Sequence, residues 1–265
     1  MNVIIVRDYN ELSDAAGSII TDLVRTKPDC ILGLATGGTP LGTYQYLVER
    51  YRAGDISLKD VQTFNLDEYC ELPRNHEQSY YRFMHDNLFR HVDLRPENVH
   101  IPCTEGGNLQ AQCDTYNRLL NSVTVDLQLL GIGSNGHIGF CEPGTSFAQE
   151  TFLARLSDKT REDNQRFFNS LDEVPTTAIT MGIKNILQAK SILLIASGCG
   201  KAECISQMVK GPVTEAVPAS ALQLHPDATV IVDEEAASLL YQNEQPELCS
   251  GEQLQAEQPH GRPPF

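Results

Sequence analysis

Apolar and polar positions along this chain follow two alternating rhythms. Short stretches rich in apolar and β-favouring residues occupy 3–6, 30–34, 61–65, 99–101, 127–131, 191–196 and 229–232. Stretches of that length predict strands, and the continuous run 30–34 predicts one buried on both faces of a parallel sheet. Between them the apolar residues fall at helical spacing. Leu12, Ala15, Ala16, Ile19, Ile20, Leu23 and Val24 place a helix over 11–25, and Pro28 stops it. Further helices are predicted over 41–53, 79–92, 109–120, 201–209 and 234–241. Alternating strands and helices predict an α/β fold: an open, mostly parallel, doubly wound sheet of Rossmann-like design. Residues 145–175 are polar and weakly patterned, and a lid segment is expected at about 147–175. Residues 1–242 then form a single α/β domain, and 243–265, rich in Gln, Glu and Pro, a flexible tail.

Composition narrows the partners. The chain has 265 residues, 41% hydrophobic and 21% charged, enough for a sizeable core without staples. No apolar run approaches the roughly 20 residues of a membrane span. The apolar stretch near the start is too short for a signal peptide, so a cytoplasmic location is expected. The 8 cysteines are scattered without a CxxC pair, which suits buried or idle thiols. Neither a disulfide framework nor a zinc site is expected. The formal net charge of −15 argues against nucleic acid and anionic membranes as partners. A small anion would need a local site of backbone amides and a few placed basic side chains.

Three segments carry the chemistry, each just after a predicted strand. The first is the turn Thr36-Gly37-Gly38-Thr39. Its glycines let backbone approach a ligand, Thr39 is expected to cap the next helix, and Pro40 to open it. A helix N-terminus there suits a phosphate. The turn lacks a P-loop lysine and full GxGxxG spacing, so no nucleotide is implied. The second is Phe64-Asn65-Leu66-Asp67-Glu68-Tyr69, whose carboxylates sit where open α/β sheets bind ligands. One, partly desolvated, could act as a general base. The third is the glycine-rich loop 131–143, which holds His137 with Asn135 and Glu142 near it. Each has a plainer reading alone: a tight turn, a solvated strand end, a structural histidine. Together they supply an anion cradle, a carbon-acid base and a proton shuttle around one crevice.

These segments resemble the glucosamine-6-phosphate deaminase (isomerase) family. The similar stretches are LGLATGGTPLGTY, TFNLDEYCELPRNHEQSYYRFM, LLGIGSNGHIGFCEPGTSF, RFF at 166–168 and ALQLHP at 221–226. The resemblance covers nearly all of the chain but its tail. It implies conversion of glucosamine 6-phosphate and water to fructose 6-phosphate and ammonia, with neither metal nor organic cofactor. Asp67 would move the proton between C2 and C1. His137, oriented by Asn135 and Glu142, would assist ring opening. Thr36, Gly37, Gly38, Thr39, Arg166 and Lys201 would hold the phosphate, Glu68 would help hold the site, and Tyr80 would either contact the lid or pack. The partner is then a small amino-sugar phosphate, and the family includes monomers and homo-oligomers.

Two departures and two rivals complete the reading. Some relatives carry Asp in place of Asn135, and an amide lends less negative charge to His137. Relatives activated by N-acetylglucosamine 6-phosphate carry Arg and Lys where Phe152 and Ala154 stand, so this chain is expected to lack that response. A several-fold fall in half-saturating substrate on adding the effector would contradict it. A 6-phosphogluconolactonase shares the fold and a similar glycine loop but needs no base at C2. A sugar-phosphate sensor would bind without turnover.

Overall fold

The computed structural model describes residues 1–240. Its strands are β1 (Asn2–Val6), β2 (Ile31–Leu34), β3 (Gln62–Asn65), β4 (Asp67–Tyr69), β5 (Val99–His100), β6 (Leu127–Leu130), β7 (Phe152–Arg155), β8 (Thr177–Thr180), β9 (Ser191–Ala196) and β10 (Ala228–Asp233). The helices are α1 (Tyr9–Thr26), α2 (Leu41–Arg52), α3 (Tyr80–Asn87), α4 (Leu109–Asn121), α5 (Asp158–Asn164), α6 (Ile183–Leu187), α7 (Ala202–Lys210) and α8 (Glu234–Ala237).

All seven stretches become neighbours in one sheet, in the order β1-β10-β9-β6-β2-β3-β5, with every pairing parallel. The expected α/β class holds. Parallel strands need crossover helices, and those helices cover both faces of the sheet. Helix α1 shows why the chain obeys the pattern. Asp8 caps it by accepting from the Glu11 amide at 2.9 Å, and Glu11 reaches back to the Arg7 amide at 2.7 Å. Its stripe Leu12, Ala16, Ile20 and Val24 is buried against the sheet.

A second, three-stranded sheet, β4-β8-β7, is antiparallel and was not expected. It rises from the strand ends of the large sheet. Leu66 is the junction: its amide donates to Leu34 O of the large sheet, and its carbonyl accepts from Met181 N beyond β8. The chain thus leaves one sheet at Asn65 and enters the other at Asp67. The segment expected as a patternless lid contains β7 and α5, and its partners lie far away in sequence. That is why periodicity within the segment is weak. Tyr69, Phe140, Ala154, Leu156 and Ala178 form a small core beneath this sheet. Ala154, at the position where effector-activated relatives carry a lysine, is among them, buried on β7.

Boundaries shift elsewhere. The helix expected to reach residue 92 ends as α3 at Asn87 and continues as a 3₁₀ turn, Phe89–His91. Helix α8 closes at Ala237, short of the expected end. The tail at 243–265 lies outside the described residues. Among those residues, no helix is long and apolar enough to cross a membrane.

Candidate active site

Four neighbouring strands, β9, β6, β2 and β3, end on the same edge, and the segment following each one enters a single pocket. Open α/β sheets bind ligands at that edge. Thr36–Thr39 follow β2, Asp67 follows β3, Gly131–Gly139 follow β6 and Lys201 follows β9. Arg166 reaches in from the segment after α5.

The anion turn differs in detail from expectation. Thr39 does not cap α2, and Pro40 stands just outside the helix rather than at its first position. Pro40 already has helical angles, and the Leu41 amide bonds Gly38 O at 3.4 Å, so the chain is wound before a cap is needed. The capping partner comes from another helix instead. The Tyr9 hydroxyl accepts from Gly42 N at 2.8 Å and donates to Gly38 O at 3.2 Å. It braces the turn from behind while Thr36, Gly37, Gly38 and Thr39 face the pocket.

Asp67 is the first residue of β4, opposite Thr180. It is 5% exposed, and no donor among the described residues bonds its carboxylate. Burial, with a further push from the Glu68 charge, raises its pKa from 3.8 to about 8. Glu68 points the other way. Its carboxylate accepts from the amides of Tyr69, Tyr80 and Tyr81 at 2.8–2.9 Å, so it anchors the start of α3. Burial still leaves the Glu68 pKa above its ordinary value. The two neighbouring acids therefore divide their work: Asp67 faces the pocket, and Glu68 holds the helix that brings Tyr80 to it.

The glycine loop brings His137 into the same pocket as this acid. A Cβ on Gly133 would lie 2.1 Å from the His137 ring, so only glycine leaves room for the imidazole. Gly139 has φ +55°, and a Cβ there would crowd Thr180 Oγ1 at 3.0 Å and Asp67 Oδ2 at 3.4 Å. The loop can lie down on Asp67 because that Cβ is missing.

Behind His137 runs a relay. The Glu142 carboxylate can only accept, so the Asn135 amide nitrogen faces it, at 2.8 Å. Asn135 Oδ1 must then accept from His137 Nδ1, at 2.6 Å. Nδ1 carries the hydrogen, and Nε2 keeps a lone pair. Asn135 and Glu142 thus sit behind the imidazole rather than on the pocket wall. Burial lowers the His137 pKa, with Lys201 adding to the effect and Glu142 and Asp163 opposing it. Burial pushes Glu142 up, but hydrogen bonds from Thr160, Asn135 and Ser157 and the charge of His137 hold it below its ordinary value.

Sequence reading missed the residues that complete this arrangement. Ser157 Oγ, at 3.0 Å, and Thr160 Oγ1 both donate to Glu142 Oε1 from the first turn of α5. Asp163 and Asn164 line the pocket near its last turn. The signal available was Ser157 followed by Asp158, a helix start whose cap bond to Thr160 N is 3.1 Å. Tyr80 lines the pocket and also stacks on Phe140, with ring centres 6.0 Å apart. Lys201 is largely buried. Its pKa is lowered by that burial, with Arg166 and Lys159 adding repulsion. Among the described residues no group of three His, Cys, Asp or Glu side chains could hold a metal ion.

Comparison with known proteins identifies the family. Residues 9–231 match the family model described as glucosamine-6-phosphate isomerases/6-phosphogluconolactonase. The chain is 49% identical over 241 residues to a glucosamine-6-phosphate deaminase of Thermoanaerobacter pseudethanolicus, covering 91% of this chain and 95% of that one. It is 49% identical over 238 residues to the enzyme of that name from Bacillus velezensis, covering 89% and 99%. A solved monomeric glucosamine-6-phosphate deaminase superposes with a TM-score of 0.89 at 47% identity, covering 90% of this chain and 100% of that one. The 6-phosphogluconolactonase of Trypanosoma brucei superposes less well, with a TM-score of 0.75 at 19% identity over 90% and 98%, which speaks to the fold alone.

Proposed function

The chain belongs to the family of glucosamine-6-phosphate isomerases and 6-phosphogluconolactonases, and from that premise we propose how its pocket works. The chain is an enzyme that converts glucosamine 6-phosphate and water to fructose 6-phosphate and ammonia. Relatives named for that deamination are about half identical to it over nine-tenths of its length.

The phosphate sits on the amides of Thr36–Thr39, with Lys201 and Arg166 as charged partners. His137 Nε2 takes the proton of the C1 hydroxyl and returns it to the ring oxygen, which opens the pyranose. Asn135 and Glu142 fix the tautomer that makes this possible. Asp67, as carboxylate, removes the C2 proton while the C1 oxygen takes one up, which gives an enolamine; it then delivers its proton to C1 as the nitrogen gives up one of its own. The nitrogen at C2 is now an imine. Water adds to C2, ammonia leaves, and the ketone remains, so one water is consumed and one ammonia released.

The observation that carries this reading is Asp67: a buried carboxylate without a donor, in one pocket with the His137 imidazole and an anion cradle. A carbon acid is a weak acid, and a desolvated carboxylate of raised pKa is the stronger base it needs. A lactonase would have no use for it.

The test is a direct assay of ammonia release from glucosamine 6-phosphate, run beside 6-phosphogluconolactone hydrolysis. Asp67→Asn should cut turnover and exchange of the C2 hydrogen with deuterated solvent by at least roughly 10³-fold, while phosphate affinity stays similar. Lactone hydrolysis without ammonia release, or normal exchange in the variant, would overturn it.

A further inference from the structure

A carboxylate stands where the phosphate cations gather, and nothing in the reaction asks for it. Asp163, near the end of α5, lines the same pocket as Arg166 and Lys201. It is fastened rather than free. Oδ2 accepts from Ser134 Oγ, on the glycine loop, at 2.9 Å. Oδ1 accepts from Lys159 Nζ, one turn back on α5, at 2.7 Å. The ion pair with Lys159 lies at the exposed rim, with side chains 58% and 40% exposed, so water weakens it. The carboxylate therefore keeps its charge next to a site built for a dianion. Its own pKa is lowered: burial works against that, while Lys159, Ser134 and Lys201 outweigh burial.

We propose that Asp163 weakens the pocket's hold on phosphate, its charge opposing those of Lys201 and Arg166. This rests on the phosphate assignment above. Substrate and product carry the same phosphate, so binding at that end is uniform along the reaction and adds nothing to the chemical step. Two cations and a row of amides in a partly buried site would hold both sugars tightly and slow product release. A fixed carboxylate lining the same pocket as those cations lowers that affinity without touching the reacting carbons. The Ser134 bond keeps it in place, because swinging outward would leave the hydroxyl without this acceptor.

The test is titration of inorganic phosphate into the purified protein, read by calorimetry. Asp163→Asn retains an oxygen for Ser134 but removes the charge. It should tighten phosphate binding roughly three- to tenfold, the size expected of one unit charge at partly screened short range. Glu162→Gln removes the same charge from the neighbouring exposed position and should change affinity less than twofold. Equal effects of the two variants, or unchanged or weaker binding in Asp163→Asn, would overturn the proposal. Binding is read without turnover, so the result stands apart from the ammonia assay, which alone decides the reaction. Phosphate binding lost in Lys201→Gln confirms that the titration reads the cradle, and binding unaffected by that change would count against both the cradle and the role of Asp163.

Discussion

At the scale of single residues, Asp67 and Glu68 show how one carbon of backbone geometry divides two like groups. Adjacent strand residues face opposite ways. One carboxylate meets three amides and the other meets none. The consequence for stability has a definite sign. Asp67 titrates near 8 in the folded chain and near 3.8 unfolded. Between those values the folded state holds a proton that the unfolded state has released, so the native protein loses stability as pH rises. Asn at this position has no proton to hold. Asp67→Asn should therefore gain stability over the parent as pH climbs from 4 to 8, by at most about 1.4 kcal/mol per pH unit. Denaturation curves at three pH values check it; a difference that does not grow with pH would mean that Asp67 is not desolvated. The residue pattern alone left either acid as the base, and only the family resemblance pointed to Asp67. Only the start of α3, meeting Glu68 across the small sheet, separates them.

Elements position these residues by contacts between segments far apart in sequence. Helix α3 begins on Glu68, and its Ser79 cap accepts from Arg82 N at 3.1 Å. Glu68→Ala would leave two amides of that first turn, and one of β4, without a buried partner. The expected cost is roughly 2–4 kcal/mol, from one to three kcal/mol for each orphaned group with partial relief by water. Glu68→Gln keeps one accepting oxygen and should lose about half as much. Urea denaturation of the two variants checks the order, and equal stability of Glu68→Ala and the parent would show that α3 does not depend on the anchor. The same logic applies to α5, whose first turn holds Glu142 and whose end carries Asp163. The sequence concealed α5 and the small sheet because neither has a periodic apolar face of its own. Strand β7 buries one residue in four, Ala154.

Across the whole molecule, the two edges of the large sheet do different work. The pocket occupies the edge where β9, β6, β2 and β3 end. At the opposite edge Asp126 clamps the strand starts. Its carboxylate, 4% exposed, accepts from Lys27 at 2.6 Å, Lys190 at 2.7 Å and the Ile31 amide at 2.9 Å. Burial pushes its pKa up, but these partners prevail and hold it below the usual carboxylate range. The sign is opposite to that of Asp67. The stability it contributes is present above the unfolded pKa and is lost as pH falls through the depressed folded value. Asp126→Asn should cost about 1–2 kcal/mol near neutrality, discounted because both lysines are partly exposed. The cost should shrink in acid, and ammonia release should be unchanged. Thermal melts across pH with a parallel activity assay test this. A cost that persists undiminished in acid would place the effect in packing rather than charge.

The linear order of apolar runs determined the seven parallel strands and most of their helices, because burial on two faces leaves a mark that is local in sequence. It also placed the anion turn, Asp67 and His137 after strands, and parallel strands send their ends to one edge. Tertiary structure alone decided the antiparallel sheet, the capping of α2 by Tyr9, the anchoring of Glu142 by Ser157 and Thr160, and the arrival of Asp163 beside Lys201. Those pairings join residues tens of positions apart through single hydrogen bonds or charges. Such contacts repeat no pattern along the chain, so folding has to bring the partners together before they can be seen.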